Sequence, residues 1–230
     1  MSEIIYGTNL ITSAINNQVD IYNLRISGNN IIRNLADEKR IPYQLIDKKE
    51  LSRLTPNHQG AIAEVKSFLT YRLNEISLKE KNLILALDGI EDPHNFGAIL
   101  RTADAVGINA VIYPKNRNVG LNSTVARVST GAIFSIKCVE VVNLVSALKQ
   151  LKEMGFWVYG AEATEESSIY TEIKYDVKTV LVLGSEGKGL SRLTKENCDF
   201  LIKIPISGTV NSLNVSVSAG ILSYHIKNNQ

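Results

Sequence analysis

Three short stretches carry glycines and polar side chains of the kinds that bind a ligand or run a reaction. Gly184-Ser185-Glu186-Gly187-Lys188-Gly189-Leu190 sets three glycines within six residues, and glycine admits positive φ and close approach of backbone to a ligand. The spacing is not that of a dinucleotide turn, because Arg192 stands where the third glycine counted from Gly187 would fall. It is not a phosphate loop either, since Lys188 is followed by Gly189 rather than Ser or Thr. On spacing alone, a tight turn without a ligand explains these glycines equally well.

The second stretch runs Asp92-Pro93-His94-Asn95-Phe96-Gly97 and is followed by Arg101. Asp92 or Asn95 can cap a helix, and Pro93 suits its first turn. Asn95 and Arg101 converge only if Asn95 precedes the helix proper, and a capped helix with one exposed Arg is the plain alternative. In the third stretch, Ile204-Pro205-Ile206-Ser207-Gly208 leads to Ser212-Leu213-Asn214. It is apolar, then small and polar, and opens a helix near Ser212, so its backbone groups can meet an adenine edge without a charge. There is no Gly-x-Ser-x-Gly elbow, glycosidase-like carboxylate pair or metal-ligand cluster, which disfavours a hydrolase.

The elements that must position these stretches follow from hydrophobic patterning. Apolar strand-like runs at 83–87, 109–113, 134–139, 156–160, 179–183 and 200–204 alternate with helical patterns at 96–106, 122–130, 143–154, 189–196 and 212–227. Short continuous apolar runs between helices predict a parallel sheet covered on both faces. Its ligands bind at the carboxyl ends of the strands, which is where all three stretches lie. Residues 1–68 read as a smaller α/β unit, with helices at Asn9–Asn17 and Asn30–Arg40 and strands at Ile21–Ile26, Ile41–Ile46 and Ala61–Phe68. Residues 69–81, charged and poor in large hydrophobes, read as a linker, and 82–230 as the main domain.

Composition limits the function classes. The 230 residues carry a formal charge of +2, far from the strongly basic balance of many nucleic-acid binders. A local exception is the stretch between Asp104 and Glu140, which has no acidic residue but holds Lys115, Arg117, Arg127 and Lys137. Such a stretch can be a phosphate track, although scattered solvated charges account for it as well. Cys138 and Cys198 form no Cys-x-x-Cys pair and the three histidines are scattered, so neither a disulfide framework nor a zinc site is expected. The start of the chain reads as no signal peptide, and no apolar run approaches a membrane span. A soluble cytoplasmic protein without metal is the expectation.

Together, the runs from Asp92 to Asp104, from Gly184 to Leu190 and Ile204-Pro-x-x-Gly-x-x-x-Ser-Leu-Asn-Val-Ser-Val resemble the SpoU (TrmH) family of RNA ribose 2′-O-methyltransferases, of the SPOUT class. Ile5-Tyr6-Gly7 before a helix and His58-Gln59-Gly60-Ala61-Ile62-Ala63 resemble the RNA-binding module of its RlmB-type branch, which methylates a guanosine in bacterial large-subunit ribosomal RNA. Thr8-Asn9-Leu10 departs from the Ile-His-Ala of that branch. The resemblance implies a C-terminal trefoil knot, a rare exception among folds, and a homodimer with S-adenosylmethionine in the knot. It implies cofactor contacts at Gly184, Gly189, Ile204, Ile206, Ser212 and Leu213. It also implies catalytic roles for Arg101, Asn95, Glu186, Ser212 and Asn214. Periodicity by itself predicts only an ordinary doubly wound sheet. Three alternatives remain open at this point: the same chemistry on transfer RNA, a non-catalytic RNA-binding assembly factor, and a nicotinamide-dependent oxidoreductase.

Overall fold

The computed structural model describes residues 2–230. In chain order, the first elements are β1 (Ser2–Tyr6), α1 (Thr8–Asn16), β2 (Ile21–Ile26), α2 (Asn30–Lys39), β3 (Tyr43–Leu45), α3 (Lys48–Leu54) and β4 (Ala61–Lys66). There follow β5 (Asn82–Asp88), α4 (Pro93–Val106), β6 (Ala110–Pro114), α5 (Ser123–Val128), β7 (Cys138–Val141), α6 (Leu144–Glu153) and β8 (Trp157–Ala161). The last are β9 (Ser168–Ile169), β10 (Lys178–Gly184), α7 (Arg192–Glu196), β11 (Phe200–Lys203) and α8 (Val215–Asn229).

The chain divides into two compact units. The first runs to Leu69 and adds Leu121–Ser135; the second takes Thr70–Gly120 and Ile136–Gln230. In the first unit a mixed four-stranded sheet has the order β1-β4-β2-β3, and its central β4 is buried from Ala61 to Ala63. Residues 121–135 lie far along the sequence but pack here: α5 contacts β1, and Val125, Ala126, Ala132 and Ile133 are buried. A cut near residue 70 would therefore not release an intact N-terminal module.

The second unit holds a fully parallel sheet, β7-β6-β5-β10-β8-β11-β9. This is the α/β architecture expected, but the order departs from a simple doubly wound sheet. There β8 would lie beside β5; here β10 enters late in the chain and takes the place between them. The apolar runs of β5 and β10 are buried along almost their whole length, as strands covered on both faces must be. On one face Ile84, Ala86, Ile112, Val158, Val180 and Val182 pack with Leu144, Leu148 and Leu151 of α6. α8 packs on α4 and against β5 and β10, and the Gln230 side chain donates to the Asn82 and Asp176 carbonyls.

Local boundaries shifted where capping and turns overrode periodicity. Residues 132–134 form a 3-10 turn after Gly131 at φ 98, so the strand expected at 134–139 begins at Cys138. The strand expected over Ile41–Ile46 shrinks to Tyr43–Leu45. β1, α3 and the short β9 had no periodic signal. Residues 69–81 do not run free: the Tyr71 amide donates to the Cys138 carbonyl at 2.9 Å, and Ile76 is buried in the core of the second unit.

Burial raises both cysteine thiols from 9.0 to about 12. The unfolded chain releases these protons near 9.0 and the folded one near 12, so their contribution to stability is complete below pH 9.0 and is lost as pH climbs toward 12. Since the thiolate is the reactive form, a disulfide-exchange reagent at mildly alkaline pH should label the native protein slowly and the urea-unfolded protein fast. Fast labelling of both thiols in the native state would contradict this burial.

Candidate active site

The loops after β5, β10 and β11 meet at the carboxyl end of the parallel sheet, and the loop after β10 is their centre. It closes on itself: the Ser185 amide donates to the Gly189 carbonyl at 3.1 Å and the Gly189 amide to the Ser185 carbonyl at 3.0 Å. Gly189 sits at φ 65. At Gly184 a Cβ would lie 2.2 Å from the Gly189 carbonyl carbon, so no side chain fits there unless the loop opens. The loop is clamped from two sides. Glu162, after β8, accepts from the Leu190 amide at 3.0 Å and from Lys195 Nζ at 2.7 Å. Asp88, at the end of β5, accepts from the Ser191 amide at 2.7 Å.

A cavity lies on each side of this loop. The first, about 530 Å³, is lined by Gly184, Gly189, Ile204, Ile206, Ser212 and Leu213, among others. These are all six residues expected to contact the cofactor. Its size falls in the range of small-molecule sites, and its apolar wall with backbone groups and the Ser212 hydroxyl suits a nucleoside. The second, about 540 Å³, is lined by Asn95, Arg117, Glu186 and Lys188 with Asp88 and Asp92. Glu186 is the one carboxylate, among the described residues, that lines both.

Asn214 lines neither cavity but links Asn95, in the second, to Glu186, which lines both. Its Nδ2 donates to Asn95 Oδ1 at 2.9 Å and to Glu186 Oε1 at 2.5 Å, while its Oδ1 accepts from the Ser216 amide and hydroxyl at 2.9 and 2.6 Å. Both amide protons and the carbonyl oxygen are thus engaged. Asn95 is buried and lines the second cavity, and with its oxygen accepting from Asn214 its Nδ2 has no partner among the described residues. Asn214 also caps α8, which is why that helix starts at Val215 rather than near Ser212.

Not every expected residue joins this cluster. Asn95 lies inside α4, which Asp92 caps through the His94 amide, so the condition for Asn95 and Arg101 to converge is not met. Six residues turn a helix by about 240° beyond one full circle, leaving them roughly 120° apart. Arg101 is exposed, lines neither cavity and has no hydrogen bond or ion pair among the described residues. Ser212 lines the first cavity but stands outside the Asn95–Asn214–Glu186 network. Glu162 was not anticipated, and Arg117 was read only as one cation of the acid-free stretch. Glu162 begins a fourth post-strand loop, which its place after β8 could have revealed. Arg117 belongs to the acid-free stretch and is set by a left-handed φ of 62, next to Asn118, whose Oδ1 accepts from the Ile90 amide.

Residues 82–224 match the model of the SpoU rRNA methylase family. The chain belongs to this family. A second model, for the substrate-binding part of RNA 2′-O-ribose methyltransferases, matches residues 4–71. A Bacillus subtilis (strain 168) relative, named for the TrmH family of tRNA/rRNA methyltransferases, is 40% identical over 96% of this chain and 94% of its own. Among solved structures, the SpoU methyltransferase AviRb from Streptomyces viridochromogenes, in complex with AdoMet, superposes with a TM-score of 0.86 over 99% of this chain and 90% of that one. At 22% identity that likeness is one of fold. The A. aeolicus TrmH/SpoU tRNA-modifying enzyme is 34% identical, with a TM-score of 0.60, over 66% of this chain and 76% of its own. As a SpoU family member the chain is an RNA 2′-O-ribose methyltransferase, and the oxidoreductase alternative falls away.

The Glu162 clamp is open to a direct test. Glu162→Ala leaves the Leu190 amide without its acceptor and should cost about 1–3 kcal/mol in urea unfolding. Glu162→Gln, which keeps an acceptor, should recover much of that loss. Equal midpoints for Glu162→Ala and the parent would mean that the loop does not depend on this anchor.

Proposed function

We propose that this SpoU methyltransferase modifies the 2′-hydroxyl of a guanosine in bacterial large-subunit ribosomal RNA, in the cytoplasm. S-adenosylmethionine occupies the first cavity in this reading and the target ribose the second. The observation that carries it is the pair of nucleoside-sized cavities that share Glu186, which Asn214 links to Asn95 of the second cavity. The N-terminal match at residues 4–71 supports a long RNA substrate read by a separate module. The tRNA-modifying relative leaves a third of this chain without a counterpart, which weighs against transfer RNA.

Gly184, Gly189, Ile204, Ile206, Ser212 and Leu213 would hold the donor. When bound it supplies a methyl group on a positively charged sulfur. The chain's own work is to position the ribose and receive one proton. Asn95 Nδ2 donates to a ribose oxygen, and the Glu186 oxygen not bonded to Asn214 takes the hydroxyl proton. Arginine, with a pKa above ~12, stays protonated. Arg101 therefore acts by holding a phosphate and stabilising the developing alkoxide. Because it lines neither cavity of its own chain, this role needs a second copy, and we propose a homodimer in which Arg101 serves the partner's site.

Incubation with methyl-labelled S-adenosylmethionine and separate pools of unmodified ribosomal and transfer RNA should place alkali-resistant label in large-subunit RNA. Label confined to transfer RNA would replace the substrate and keep the chemistry. Arg101→Ala and Asn214→Ala should each lower turnover by roughly 10²–10³-fold, the usual effect of losing one transition-state donor. If Arg101 acts across the dimer, mixing the two inactive variants restores part of the turnover, because one site of each mixed dimer is intact. No recovery on mixing would return Arg101 to its own subunit's site or exclude it from catalysis.

A further inference from the structure

The acid-free stretch between Asp104 and Glu140 has its most telling residue in the first unit. Arg127, on the last turn of α5, is exposed and forms no side-chain hydrogen bond or ion pair among the described residues. It lines a cleft of about 520 Å³ together with Tyr6, Asn9, Asn57, Gln59 and Thr130. No carboxylate lines this cleft, in contrast to the two cavities at the sheet's carboxyl end.

The cleft is a built feature of the fold. α5 reaches it because residues 121–135 seat tightly on α1. The Ser13 hydroxyl donates to the Gly131 carbonyl at 2.8 Å, and a Cβ at Gly131, whose φ is +98, would fall 2.3 Å from the Ser13 Cβ. The opposite wall is equally held. Gln59 caps α1 by accepting from the Thr8 amide at 3.0 Å, its carbonyl accepts from Asn29 Nδ2 at 2.8 Å, and the Gly60 amide donates to buried His58 at 2.8 Å. Gln59 and Thr130, on the two walls, both adopt left-handed φ, 50 and 52. Strained backbone of this kind persists where surrounding structure over-determines it, often at ligand sites. The side chains of Asn9 and Asn57 have no hydrogen-bond partner among the described residues and face no competing charge.

We propose that this cleft binds one unpaired nucleotide of the RNA substrate, with Arg127 on its phosphate and the amides of Asn9, Asn57 and Gln59 on the base edge. One cation, neutral amides and an aromatic ring without any carboxylate match a single anionic, heteroaromatic unit. Proteins read RNA sequence mainly at unpaired bases, through stacking and amide contacts to their edges. A duplex does not enter a concave cleft of this size. The inference rests on the RNA-methyltransferase reading and adds to it a site for a second nucleotide, away from the methylated ribose.

The full-length protein and an unmodified large-subunit ribosomal RNA transcript test it. Arg127→Ala should weaken RNA binding roughly tenfold and lower the slope of log affinity against log salt by about 0.7–1. Affinity for S-adenosylmethionine and turnover at saturating RNA should stay at parental values. Arg127→Lys, which keeps the charge, should recover part of the affinity, whereas Lys149→Ala, an exposed change on α6, should leave binding unaltered. Parental affinity and salt slope in Arg127→Ala would overturn the proposal. So would a parallel loss of cofactor binding, which would mark Arg127 as a folding residue. If the parent protein holds the transcript through Arg127 but transfers no methyl group to it, the cleft stands and the substrate assignment falls.

Discussion

The active end of the sheet depends on a place where a side chain is impossible. Gly184 and the Gly189 peptide approach so closely that even a methyl group would displace the loop. That approach folds residues 185–189 into a tight partition with a cavity on either face. Glu162 and Asp88 then hold the partition through backbone amides rather than through other side chains. Because peptide groups present fixed dipoles, a wall held this way needs little reorganisation when charge develops beside it.

Asn214 links the partition to α4 and to the start of α8. One side chain spends both its protons on Asn95 and Glu186 and its oxygen on the start of α8. Helix capping and the polar network of the site are therefore the same set of hydrogen bonds. A shift of α8 would move Asn214 and would be felt at once in α4 through Asn95. α4 also carries Arg101, on another side of the helix and exposed, away from the cavity that Asn95 lines.

Electrostatics explains why a chain of formal charge +2 can handle RNA. The positive charge is placed locally. Lys137 is occupied with the Ser77 hydroxyl and the Glu75 carbonyl, but Arg117 and Lys188 line the second cavity and Arg127 lines the cleft of the first unit. Phosphate contacts position a nucleic acid whatever its sequence. Under the proposals above, these cations, without ion-pair partners among the described residues, would orient a substrate that other groups recognise.

The sequence by itself determined the α/β class, the parallel sheet and the three loops at its carboxyl end, because buried strands and capped helices write their periods into neighbouring residues. Six of the residues lining the first cavity, those that the family resemblance pointed to, lie in two motif-bearing loops. Tertiary structure alone decided the rest. Insertion of β10 between β5 and β8, the seating of residues 121–135 in the first unit and the Glu162 clamp all join residues distant in the chain. No local period encodes such pairings. They are settled by which buried surfaces fit and by which backbone amide a carboxylate can reach.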